Sequence, residues 1–143
     1  MSAFVFISTN RAIVSQLAAA DSNRTQAITL VVADGQGDAT IDGVAVLDLG
    51  SVGRSKLLRT LEKSVVARTL RRLSPGDDGA RIARRMRRNT RAAAAARAAD
   101  VVIACDRDCI LAAWESTTGA GTGALGLAQL AGGLATLRRA SGQ

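Results

Sequence analysis

The sequence predicts an α/β domain of three layers: a mostly parallel sheet of about four strands with helices on both faces. Three observations predict it. Apolar runs rich in Val, Ile, Leu and Phe recur at 3–8, 26–34, 44–50 and 100–105. Their apolar character is nearly continuous, as in strands covered on both sides, rather than alternating as in strands wet on one side. Segments of helical periodicity follow the first, third and fourth runs, the layout of strand-helix-strand units. The chain has 143 residues, 48% of them apolar, which suits one domain with its own core.

The elements run in order along the chain. AFVFIS (3–8) is the first strand. In TNRAIVSQLAAAD, Thr9 or Asn10 can cap a helix whose apolar face is Ile13, Val14 and Leu17. QAITLVVAD (26–34) is the second strand. GQGDATIDG (35–43) is rich in Gly and Asp and reads as a turn. VAVLDLG (44–50) is the third strand, and 51–73 a long helix with a broad apolar surface. SPGDDG (74–79) holds the single Pro and breaks the chain. A second long helix is expected over about 80–98. It places Ile82, Met86, Ala93 and Ala94 on one face and Arg84, Arg88 and Arg91 opposite, with Arg81, Arg85 and Arg87 on the flanks. DVVIAC (100–105) is the fourth strand. Asp106 or Asp108 can cap the helix of DRDCILAAWE (106–115). STTGAGTG reads as a loop, and 124–139 as a last helix weakened by Gly126, Gly132 and Gly133. The whole is a single Rossmann-like domain over 1–140, with 141–143 a frayed tail. Right-handed crossovers make 3-2-1-4 the expected strand order.

Composition excludes several chemistries. There is no His, so no imidazole base and no His-containing triad. The two cysteines, Cys105 and Cys109, lack further thiol or imidazole partners for zinc, and no metal or cofactor is expected. They read as reduced, mostly buried thiols. No window is apolar enough for a membrane span, and MSAFVFISTNR does not read as a signal peptide. A cytoplasmic location is the resulting expectation.

The net charge of +7 is unevenly distributed. Residues 1–53 carry −3 and residues 98–143 carry −1, whereas 54–97 carry +11, from twelve Arg and two Lys against three acids. This basic segment holds no aromatic side chain for base stacking, so an anionic membrane surface or an acidic partner suits it better than nucleic acid. The bland reading, arginines as the solvated side of sheet-covering helices, is the default for Arg84, Arg88 and Arg91.

In an open parallel sheet, ligands bind beyond the carboxyl ends of the strands near the switch in strand order. Ser8, Thr9 and Asn10 after the first strand, with Asp106 and Arg107 after the fourth, are the expected lining. Thr, Asn and Asp at such positions are also ordinary helix caps. GSVGRSK (50–56) is a second candidate. Its Gly50 and Gly53 would open a helix whose N–H groups, with Arg54 and Lys56, could hold an anion. It lacks the Gly-x-x-x-x-Gly-Lys-Ser/Thr pattern of nucleoside triphosphate loops. GTGALG (121–126) fits Gly-x-Gly-x-x-Gly but comes after a helix, the wrong context for a dinucleotide site.

FVFISTNRAIVSQLAAA, the basic helices and AADVVIACDRDCILAAW together resemble the N-terminal, acceptor-side domain of two-domain (GT-B type) nucleotide-sugar glycosyltransferases over roughly 3–115. The resemblance implies a strand ending at an interdomain cleft and basic helices able to lie on an anionic membrane. It also implies a second domain for the sugar nucleotide, which these residues do not include. The family's acceptor-domain His has no counterpart, and Ser8-Thr9-Asn10 stands where a Gly-rich loop is usual. The resemblance therefore implies a non-catalytic or partner-dependent domain linked to cell-surface polysaccharide assembly, working with a glycosyltransferase chain and peripheral to a membrane. Two other readings are a basic module for nucleic acid or anionic membrane, and a small-molecule enzyme at the first-strand/fourth-strand crevice.

Overall fold

The computed structural model describes residues 2–52, 77–118 and 130–142. Most of the helix expected over 51–73, with Gly53, Arg54 and Lys56, lies outside the described residues, as does the GTGALG run. Five strands form one sheet: β1 (Ala3–Ser8), β2 (Ala27–Val32), β3 (Ala39–Ile41), β4 (Val44–Asp48) and β5 (Val101–Ala104). The order is β3-β4-β2-β1-β5. β1 lies between β2 and β5, parallel to both, with Phe6 opposite Leu30 and Ile103. β2 also pairs in parallel with β4.

Strand count and order therefore differ from the expected 3-2-1-4. The four anticipated strands keep that relative arrangement, but β3 adds an antiparallel edge to β4 within a segment read as a turn. Its cause is local. Asp42 and Gly43 both take positive φ, 51° and 84°, and Ile41 pairs directly with Val44. That is a two-residue hairpin of the Asp-Gly kind, whose backbone twist matches that of paired strands.

Alternation along the strands sorts the core into two layers. Val5, Ile7, Val31, Leu47 and Val102 face one side, and Phe4, Phe6, Leu30, Val46 and Ile103 the other. Helices α1 (Val14–Ala20) and α5 (Leu130–Ala140) cover the second side through Val14, Leu17 and Leu137. Helices α2 (Asp78–Arg88), α3 (Thr90–Ala98) and α4 (Ile110–Thr118) cover the first through Ile82, Met86, Ala92, Ala96 and Ala112. Gly133 has a packing role in α5. A Cβ there would lie 2.8 Å from Ile103 Cγ2 and 3.2 Å from Phe6 Cε1, so its absence lets the helix approach the sheet.

Three further expectations are corrected. The helix over 80–98 is two helices, because Asn89 is extended (φ −83°, ψ 102°) and its side chain caps α3 through the N–H groups of Arg91 and Ala92. The break resets the helical phase, so Ala92 and Ala96 are buried while Ala94 is exposed. Ser116 to Thr118, expected in a loop, are the last turn of α4, with Ser116 and Thr117 hydroxyls donating to carbonyls of the preceding turn. Ser141, expected to fray, is only 8% exposed, and its hydroxyl donates to the buried Asp21 carboxylate at 3.0 Å.

Candidate functional site at the carboxyl edge of the sheet

The parallel strands β1, β2, β4 and β5 deliver their carboxyl ends to one edge. Ser8, Thr9 and Asn10 leave β1, Asp34 follows β2, Asp48 ends β4, and Asp106 to Asp108 follow β5. The polar groups there make two adjoining clusters.

The first lies at the switch in strand order. Asp106 reaches across to the tip of β1, where its Oδ2 accepts from the Thr9 N–H at 2.8 Å, the Thr9 hydroxyl at 3.0 Å and the Ser8 hydroxyl at 3.2 Å. Ser8 Oγ in turn accepts from the Asn10 N–H at 3.0 Å. Asp106 Oδ1 is buried and accepts no N–H or O–H donor. The Cys109 Sγ lies beside this carboxylate, and burial first, then Asp106, pushes its thiol pKa up. The structure thus joins Ser8, Thr9 and Asp106 as expected in place, but not as helix caps. Asp106 makes no side-chain cap of the following 3-10 turn, Arg107–Cys109. Asn10 is the cap, accepting from Ala12 N–H at 2.9 Å. Arg107 is exposed at the start of its turn.

The second cluster surrounds the β2 and β4 tips. Arg11 holds Asp34 with two bonds, Nε to Oδ2 at 2.7 Å and Nη2 to Oδ1 at 3.0 Å, and Nη2 also donates to Gly37 O. Asp34 raises the Arg11 pKa further. Asp48 accepts three backbone N–H bonds, from Gly35, Gly37 and Gly50 at 3.1, 2.7 and 2.8 Å. Burial works against its charge, but these bonds win and hold the carboxyl below its usual range. Such an arrangement fixes the loop after β4. Gly35 is required beneath it, because its φ is +77° and a Cβ would lie 2.9 Å from Ser51 N.

Helix α2 borders this loop. Arg85 Nη1 donates to Leu49 O at 3.1 Å, and Asn89 Nδ2 to Asp48 O at 3.5 Å. The expectation of solvated arginines holds in part. Arg84, Arg87, Arg88 and Arg91 are exposed, but Arg87 pairs with Glu115 at 3.0 Å and Arg91 pairs with Asp38. Arg91 is thereby drawn to the Asp38 loop and away from Arg84 and Arg88, with which it was grouped. Gly50 is placed within reach of Arg85: a Cβ on it would lie 3.1 Å from Nη1. Gly53, Arg54 and Lys56 fall outside the described residues.

Sequence reasoning missed Arg11, Arg85 and Asp38. The signal was three Asp residues, 34, 38 and 48, bracketing a Gly-rich turn beside an otherwise acidic N-terminal third. Both thiols are free. Cys105 is pushed up to about 12, first by burial and then by Asp106, so neither is a ready nucleophile. Among the described residues no three Cys, Asp or Glu gather in a way that could hold a metal ion, and no helix is long and apolar enough to cross a membrane.

Fold and site together define a mostly parallel α/β domain with a polar edge at its switch point. No family model, curated protein or solved structure matches the chain.

Proposed function

We propose that the chain is a glycosyltransferase-like, acceptor-side domain of cell-surface polysaccharide assembly, not catalytic by itself and dependent on a glycosyltransferase partner chain for the sugar nucleotide. The observation that carries this reading is the Asp106 carboxylate spanning the β1 and β5 tips, with the Ser8 and Thr9 hydroxyls on it. A fixed carboxylate flanked by hydroxyls suits polyol recognition: it accepts from sugar hydroxyls, while Ser and Thr can both donate and accept. The Ser8 and Thr9 bonds that now close the crevice would exchange for bonds to the acceptor. With no imidazole in the chain, this set binds and orients.

Partner dependence has its own support. Ile110, Leu111 and Trp114 of α4 are 45%, 38% and 52% exposed, next to the edge strand β5. Large apolar side chains grouped on one helix favour a protein interface. The proposed place of work is the cytoplasmic face of a membrane, with exposed Arg84 and Arg88 toward anionic lipid.

The test is calorimetric titration of the full chain, alone and with candidate glycosyltransferase chains, against nucleotide sugars and glycan acceptors. Acceptor binding that Asp106→Asn weakens tenfold or more supports the reading. Absence of binding to every sugar and every partner chain overturns it.

A further inference from the structure

Helices α2, α3 and α4 meet around a cavity of about 210 Å3. Its floor follows from the sequence. Each helix brings an alanine to the junction, Ala83, Ala93 and Ala112, and an alanine side chain stops at Cβ. Met86 completes the floor, and Ala83, Met86 and Ala112 are all buried. The rim is polar, from Arg87, Arg97, Glu115 and Ser116. Glu115 Oε2 takes Arg87 Nη1 at 3.0 Å, and the Ser116 hydroxyl donates to Ala112 O within its own helix. Arg97 is exposed and makes no ion pair or side-chain hydrogen bond among the described residues.

We propose that this cavity binds a small monocarboxylate with an apolar body of about six carbons, a size set by its volume, since a dry apolar cavity of about 150 Å3 admits a benzene ring. The alanine and methionine floor takes the body, and burial of that surface drives binding. The carboxylate goes to Arg97, whose planar fork matches its two oxygens. Two arginines and one glutamate line the cavity, which leaves one positive charge in excess. A single negative charge on the ligand balances it. A phosphate dianion would bring a second charge beside Glu115, so the lining selects against it. The cavity shares no lining residue with the Asp106 crevice and does not rest on the glycosyltransferase reading.

The test titrates the full chain with hexanoate and with its neutral analogue hexanamide, read from the isotope-labelled Met86 methyl resonance, whose one companion in the spectrum is Met1. Hexanoate should shift the Met86 methyl saturably at low salt and bind at least about fivefold more tightly than hexanamide. Arg97→Gln should bring hexanoate down to the affinity of hexanamide and leave hexanamide within twofold of the parent. Arg138→Gln on α5 makes the same charge change away from the cavity and should leave hexanoate within twofold. Ala93→Leu fills the cavity from a half-buried position and should abolish binding of both compounds with the circular dichroism unchanged. Arg97 is exposed, so its variant decides the matter even where Ala93→Leu unfolds the chain. No saturable shift with hexanoate, equal affinities for the two compounds in the parent, or equal losses in Arg97→Gln and Arg138→Gln overturns the site. So does hexanoate binding that survives Ala93→Leu in a folded chain.

Discussion

The Asp106 carboxylate accepts the Thr9 backbone N–H at 2.8 Å, tying the tip of β5 to the tip of β1 across the point where strand order reverses. The same oxygen also takes the Thr9 and Ser8 hydroxyls. A parallel pair has no hairpin to hold its ends together, so this carboxylate does part of that work. It also places acceptor and donor groups where open parallel sheets bind their ligands.

Asp106→Ala should therefore destabilise the fold by about 1.5–3 kcal/mol, the range for hydrogen bonds to a charged group. Urea unfolding followed by circular dichroism measures it. Loss below about 0.5 kcal/mol would mean that water replaces the carboxylate without cost.

Two carboxylates predict the acid limb of stability. Asp21 and Asp48 are both held below the usual carboxylate range: burial opposes their charge, but backbone N–H bonds, and for Asp21 the Thr25 and Ser141 hydroxyls, outweigh it. A lowered folded pKa stabilises above the unfolded value, roughly 3.9, and that contribution fades as pH falls through the folded value. Unfolding free energy should decline steeply below about pH 4. Asp21→Asn/Asp48→Asn should start lower at pH 7 and show a flatter decline.

Gly133 should not tolerate a methyl group. With the added Cβ 2.8 Å from Ile103 Cγ2, Gly133→Ala overpacks the α5–sheet contact. The overpacking cost of about 1–3 kcal/mol exceeds the roughly 1 kcal/mol that Ala gains over Gly within a helix. Gly132→Ala, at an exposed position of the same helix, should stabilise, and the pair of melting curves separates packing from propensity.

Both cysteines should resist a thiol reagent in the folded protein at pH 8. Cys109 is buried, and the Cys105 thiol is pushed up to about 12, so the thiolate is scarce at either. Labelling by a maleimide should track unfolding in urea; rapid labelling of folded protein would contradict the burial.

Layering was legible because the apolar runs of β1, β2, β4 and β5 need cover on both faces, and only helices were on offer. β3 was not, since three residues between Asp38 and Asp42 carry no periodic signal and pairing with β4 makes them a strand. The break at Asn89 was hidden because Arg and Ala continue helical on either side, and only the Asn89 side chain favours stopping. The candidate crevice was foreseen from topology. The direction of Asp106 was not, because an Asp after a strand is usually a cap, and its reach to Thr9 depends on β1 and β5 being neighbours. Grouping Arg91 with Arg84 and Arg88 failed for the same kind of reason. Its partner, Asp38, is distant in sequence and meets it only through the fold.

The most direct test is an amide NMR titration of the full chain with a panel of glycan acceptors and nucleotide sugars. The expected result is a set of shift changes centred on the N–H groups of Ser8, Thr9, Asn10, Asp106 and Arg107, abolished by Asp106→Asn. Changes confined to the opposite edge, around Ser2, Ala27 and Asp100, or none with any compound, would contradict a ligand site at the carboxyl edge.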